Sequence, residues 1–79
     1  RLVLAGALRA RGWSVSPSQT NFLLVEFGPQ AARVEAGLLE RGVVLRPMRG
    51  YGLPECLRIT VGTAGQNARL LAELDEVAR

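Results

Sequence analysis

Glycine and proline interrupt this 79-residue chain so often that only short helices and strands fit between the breaks. The breaks fall at Gly12, at the pair Gly28-Pro29, at Gly42 and along PMRGYGLPE, residues 47–55. Between them the spacing of apolar residues switches repeatedly between helical and extended. Residues 2–11 carry Leu4, Leu8 and Arg11 on one helical face, and Gly12 fits the position just past a helix end. Trp13 and Val15 alternate with Ser14 and Ser16 in a short extended piece. Residues 17–20 (PSQT) read as a turn or irregular crossing.

Asn21 to Phe27 predicts the first firm strand, with Leu23, Val25 and Phe27 facing one way and Phe22, Leu24 and Glu26 the other. Both faces are largely apolar, so this strand belongs near the centre of a sheet that is covered, at least partly, on two sides. Pro29 suits the first turn of a helix that runs to about Arg41, with a stripe of Ala31, Val34 and Leu38 widened by Leu39. Val43 to Arg46 predicts a second strand, with Val43 and Leu45 opposite in face to Val44 and Arg46. Leu57 to Val61 predicts a third. Thr63 followed by Gln66 matches a capping box, and it opens a last helix whose stripe is Leu70, Leu71, Leu74 and Val77.

The expected fold class is therefore α/β (α+β): a small three-stranded, mainly antiparallel sheet with helices packed on one face. The strand–helix–strand unit from 22 to 46 is a crossover, which by default places its strands parallel. The third strand either pairs at the edge or inserts between those two. Insertion gives it a neighbour on each side and is the expected order. The helices then cover Val43, Leu45, Leu57, Ile59 and Val61, and the two-residue period turns Arg46 and Arg58 to the opposite face.

Composition narrows the chemistry. The chain has ten arginines, no lysine and no histidine, against six glutamates and one aspartate, for a net charge of +3. The arginines are spread out and the aromatic residues scattered, which argues against a nucleic-acid surface. Without lysine the chain cannot form a Schiff base, and without histidine it lacks the usual general base near neutral pH. Cys56 is single and reads as an inert, partly buried thiol; no metal-ligand spacing is present. No signal peptide or bilayer-spanning run is evident, so no membrane is expected and the compartment reads as reducing, aqueous and cytoplasmic. The chain starts and stops inside helical patterns, at Arg1 and Arg79, which suggests a piece of a longer polypeptide.

The far-face arginines have two readings. They project into solvent or pair with Glu26 or Glu55, or they converge on one anion, since a guanidinium can hold carboxylate or phosphate through two parallel hydrogen bonds. Phe22 and Leu24 share that face, so something covers it: more of the chain, a partner, or a ligand pocket. Tyr51, beside Gly50 and Gly52 in the breaker-rich loop and flanked by Arg49 and Glu55, contacts a ligand or packs over the sheet edge. Neither phosphate-loop nor dinucleotide glycine spacing is present.

The segments PSQTNFLLVEF (17–27), LLERGVVLRPM (38–48), YGLPECLRITVGT (51–63) and QNARLLAEL (66–74) together resemble the carboxy-terminal small domain of histidinol-phosphate aminotransferases, members of the fold-type-I pyridoxal-phosphate enzymes. The likeness covers essentially the whole chain, 1–79. LRITVGT followed by QN is its most distinctive part, whereas NFLLV and GVVLRPM are shared more widely among class I and II aminotransferases. The resemblance implies an enzyme that, at full length, moves an amino group between L-glutamate/2-oxoglutarate and histidinol phosphate/imidazole-acetol phosphate in histidine biosynthesis, as a homodimer. It implies that pyridoxal 5'-phosphate is held mainly by a large domain absent from this chain, whose lysine bonds the cofactor; the catalytic lysine is outside these residues and the chain alone is expected to be inactive. It further implies that Arg58 holds the substrate phosphate, that Arg46 stands beside it, and that Asn21 supports the strand entrance near the cleft. Tyr51 lies near the cleft entrance. The alternatives are a related aminotransferase or a threonine-phosphate decarboxylase-like enzyme, or a non-catalytic α/β interaction module.

Overall fold

Two helices in this chain end in the same way, and both endings steer an apolar residue into the core. A computed structural model describes residues 2–16 and 21–78, so the expected turn at 17–20 lies outside the described residues. Helix α1 spans Leu2–Ala10 and helix α2 Ala31–Glu40. Past α1, Gly12 adopts φ 90° and donates to the Arg9 carbonyl at 2.9 Å, while Trp13 N–H reaches back to Leu8 at 3.2 Å. Past α2, Gly42 adopts φ 79° and bonds to Leu39 at 3.0 Å, while Val43 N–H reaches Leu38 at 2.8 Å. This is the Schellman pattern, in which a left-handed residue without Cβ lets the chain turn back and satisfies the last helical carbonyls. Trp13 and Val43 then pack against the core.

The strands are β1 (Ser14–Val15), β2 (Phe22–Glu26), β3 (Arg46–Pro47) and β4 (Cys56–Thr60), and helix α3 spans Ala64–Val77. They form a four-stranded sheet in the order β1-β2-β4-β3, every pair antiparallel. The expected three-stranded sheet is thus corrected to four strands. The extra strand, β1, sets Ser14 opposite Glu26 and Val15 opposite Val25, and Ser16 N–H bonds to Leu24 at 2.9 Å. The alternation of Trp13 and Val15 with Ser14 and Ser16 marks this piece as extended, but with only two paired residues it does not reveal that the piece joins the sheet. It is held from the helix side, where Arg9 donates to the Val15 carbonyl at 3.0 Å.

β4 does insert between β2 and β3, which makes those two strands parallel to each other and gives β4 a neighbour on each side. The second strand is shorter than expected, covering Arg46–Pro47 rather than 43–46. Val43 has already committed its N–H to the helix cap, and Val44 is 76% exposed. β3 is an edge strand, where a proline with no N–H to give is tolerated. A single-turn 3-10 helix, Gly28–Gln30, carries Pro29 into α2, and another, Arg49–Tyr51, interrupts the expected loop.

One core joins the sheet to all the helices. Leu23, Val25, Leu57 and Ile59 from the sheet, with Leu45 just before β3, meet Leu4 and Leu8 of α1, Val34 and Leu38 of α2, and Leu70 and Leu74 of α3. The other face of the sheet carries no described helix: Phe22, Glu26 and Arg46 are exposed, and Leu24 and Arg58 partly so. No described helix is long and apolar enough to cross a membrane.

The capping box at the start of α3 is complete: Gln66 N–H donates to Thr63 Oγ1 at 3.1 Å, and Thr63 N–H to Gln66 Oε1 at 2.9 Å. Replacing Thr63 with Ala is expected to lower stability by about 1 kcal/mol, with Thr63→Ser close to the parent. Denaturant unfolding followed by circular dichroism measures the difference.

Candidate functional site: an arginine pair on the open face of the sheet

The ladder registers place Leu24 opposite Arg58 and Arg58 opposite Arg46, so one row crosses β2, β4 and β3. Directly opposed residues on one face of an antiparallel pair have Cβ atoms about 4.5–5.5 Å apart. Arg46 and Arg58 therefore stand side by side on the face away from the helices, within reach of one phosphate or carboxylate. Pairing with Glu26 or Glu55 is not what the chain adopts, since neither arginine forms a salt bridge with a described carboxylate.

That separates them from the other described arginines. Arg11 grips Asp75 through two bonds, at 2.7 and 3.0 Å, and this contact raises its pKa. Arg41 pairs with Glu73 at 3.1 Å and Arg49 with Glu35 at 3.6 Å. Arg9, Arg33 and Arg69 donate to backbone carbonyls of Val15, Val77 and Arg41. Arg58 has instead an aromatic neighbour, its Cζ lying 4.8 Å from the centroid of the Phe22 ring. Its Nε is buried and has no hydrogen-bond partner among the described residues. Two like charges set opposite each other on neighbouring strands destabilise a sheet unless an anion lies between them.

Asn21 sits at the entrance of β2, where its backbone carbonyl accepts from Val61 N–H at 2.7 Å. It thereby extends the β2–β4 pairing by one bond beyond Phe22. Tyr51 stands outside the arginine row, on the short 3-10 turn after β3, and is 66% exposed. That turn is tied to the sheet by Met48 N–H donating to the Cys56 carbonyl at 3.3 Å, and to α2 by the Arg49–Glu35 pair. Sequence reasoning does not find the Phe22–Arg58 neighbourhood. The only signal for it is that both residues fall on the far face, because their diagonal placement depends on the register. A cavity of about 310 Å³ lies elsewhere, between the approach to β3 and the first turns of α3, lined by Val44, Thr60, Gln66 and Asn67 among others. It lies on the side of Leu45 and Ile59, away from the arginine row.

Residues 1–74 match the family of class I and II aminotransferases. The chain is 53% identical over 74 residues to histidinol-phosphate aminotransferase 1 of Thiobacillus denitrificans, covering 94% of this chain and 19% of that protein. It is 43% identical over 74 residues to histidinol-phosphate aminotransferase 2 of Pseudomonas fluorescens, covering 94% and 20%. The chain thus spans about a fifth of the length of these relatives. Among solved structures, a protein of Burkholderia pseudomallei described as an aminotransferase superposes with a TM-score of 0.91 at 38% identity, over 100% of this chain and 24% of the other. A decarboxylase from Sulfurospirillum multivorans superposes with a TM-score of 0.86 at 26% identity, over 99% and 24%.

Cys56 shares the arginine face by strand period but is buried and free. Burial first, then the nearby charges of Glu26 and Glu55, push its thiol above the ordinary value of 9.0. A thiol raised in the folded state contributes stability that is complete below the unfolded pKa and is lost as pH rises through the folded one. Stability is therefore expected to fall as the pH climbs above about 9, and less so in Cys56→Ser. Thiolate absorbance near 240 nm, titrated in native and unfolded protein, checks the order of the two midpoints.

Proposed function

Because the chain belongs to the class I and II aminotransferases, we propose that it is the substrate-gripping, carboxy-terminal small domain of a pyridoxal-phosphate-dependent histidinol-phosphate aminotransferase. In this reading the full-length enzyme works as a cytoplasmic homodimer. It exchanges an amino group between L-glutamate/2-oxoglutarate and histidinol phosphate/imidazole-acetol phosphate. The observation that carries the reading is the juxtaposed, un-neutralised pair Arg46 and Arg58. The relatives named above supply the substrate class.

The chain itself does not fit the cofactor. It has no lysine to bond an aldehyde, and its only aspartate, Asp75, is engaged with Arg11 on the helix side. Cofactor chemistry belongs to the remainder of the polypeptide. What these residues can do is bind and orient. A phosphate bearing nearly two charges is matched by two guanidinium groups mounted on adjacent strands, where the ladder fixes their spacing. Anchoring the phosphate end of the substrate holds the amine at a set distance and direction, so binding energy from a non-reacting group is used for alignment. Arg58, partly buried, is the principal anchor, and exposed Arg46 supplements it.

A second reading comes from the decarboxylase likeness: the same grip could hold a phosphorylated amino acid that loses its carboxylate. Assaying the full-length enzyme with histidinol phosphate plus 2-oxoglutarate, and separately for CO2 release from phosphorylated amino acids, distinguishes them. Glutamate formation without CO2 supports the aminotransferase, and CO2 release alone replaces it with the decarboxylase.

Removing the charge-assisted contact in Arg58→Ala is expected to cost about 1.5–3 kcal/mol of binding, or about tenfold to a hundredfold in kcat/KM for histidinol phosphate. Arg46→Ala should lose less. Steady-state kinetics on the full-length enzyme measure both, and an Arg58→Ala enzyme with parental kcat/KM would refute the assignment. The 79-residue chain alone is expected to show no transamination.

A further inference from the structure

The Phe22 ring is large, stands at 39% exposure on a face that carries no helix, and contributes nothing to the core. Its neighbour is the Arg58 guanidinium, at 4.8 Å. We propose that Phe22 is a positioning residue for the anion grip: its ring face holds the Arg58 guanidinium in place while leaving the nitrogen donors free for the substrate phosphate. The proposal rests on the reading of Arg58 as the phosphate anchor.

The register explains why the two meet. Phe22 is paired with Thr60 and Arg58 with Leu24, so Phe22 and Arg58 are diagonal neighbours on one face. Diagonal positions are about 7–8 Å apart at the backbone, within reach of aromatic and long side chains. A guanidinium can be held in place by a carboxylate or by an aromatic face, and this chain uses both. Where Arg11 meets Asp75, two N–H groups are consumed and the charge is neutralised. A residue so paired is a brace, with little left for an incoming anion. An aromatic face attracts the cation through its quadrupole and takes up no N–H donor. It orients the group and leaves its charge intact.

Two further observations favour this role. Glu26 lies on the same face as Arg58, opposite Cys56, yet forms no salt bridge with it. And Arg58 Nε is buried with no hydrogen-bond partner among the described residues. A buried donor without a partner is costly, and the cost falls when a ligand oxygen satisfies it. The aromatic ring keeps the guanidinium in that under-satisfied state until an anion arrives.

The test uses the full-length enzyme, with steady-state turnover measured against histidinol phosphate under saturating 2-oxoglutarate. Phe22→Leu keeps an apolar side chain but removes the ring, and Phe22→Tyr keeps the ring. Without a ring beside Arg58, KM for histidinol phosphate should rise about three- to tenfold while kcat stays nearly unchanged. Phe22→Tyr should keep the parental KM. In an Arg58→Ala background, Phe22→Leu should add nothing further, because the group it orients is gone. If Arg58→Ala raises KM but Phe22→Leu does not, the positioning role is overturned and the anion grip stands. If Phe22→Leu raises KM equally with and without Arg58, it acts through general structure and the proposal also fails. If Arg58→Ala itself leaves KM unchanged, the grip falls, and the positioning role with it.

Discussion

Everything in this fold is registered by the β2–β4 ladder, which runs from Phe22 opposite Thr60 to Glu26 opposite Cys56. Because side chains alternate along a strand, that pairing settles at once which residues are buried and which face outward. It sends Leu23, Val25, Leu57 and Ile59 into the helices and leaves Phe22, Leu24 and Arg58 on the other face. A slip of one residue would exchange the two sets, placing a guanidinium in an apolar core. The edge strands are short and hang on this pair, β1 on β2 and β3 on β4. Core and site are therefore one decision of the chain, made by hydrophobic burial, with the arginine row as its by-product.

The electrostatics divide along the same line. On the helix side and at the loops, arginines join elements distant in sequence: Arg11 with Asp75, Arg41 with Glu73, Arg49 with Glu35. These pairs are exposed or only partly buried, and such pairs contribute little each, about 0–1 kcal/mol. On the open face the opposite arrangement holds, with two cations abreast and no carboxylate between them. Surface pairing would have been easy for a chain with Glu26 on that face. An arrangement that costs stability in isolation and is relieved by an anion is what a binding surface requires.

Much of this is legible in the residues, for identifiable reasons. Thr63 and Gln66 announce a helix start because capping chemistry is local, and Gly12 and Gly42 announce helix ends for the same reason. The outward turn of Arg46 and Arg58 follows from strand period, which needs only the apolar partners Leu45, Leu57 and Ile59 to orient it. The extended run of β1 shows in the alternation of Trp13 and Val15 with Ser14 and Ser16, but its place in the sheet does not, because that pairing depends on Val25 across the sheet. The shortening of the second strand is hidden as well, since Val43 is claimed by a helix cap through its backbone. The ring beside Arg58 needs the register of two strands more than thirty residues apart, which no local pattern encodes. The family is legible from motifs; the substrate class comes with the likeness and not from the geometry, which shows only two adjacent cations.

Pro47 has one more effect. The outermost strands, β1 and β3, are two residues each, and in β3 one of the two has no N–H to offer. A strand approaching either margin would find almost nothing to bond with, so the sheet resists being extended by another chain. The margins are thereby insulated against the edge-to-edge association that threatens small open sheets. What the sheet leaves open is its broad side, where the aromatic ring and the two cations are.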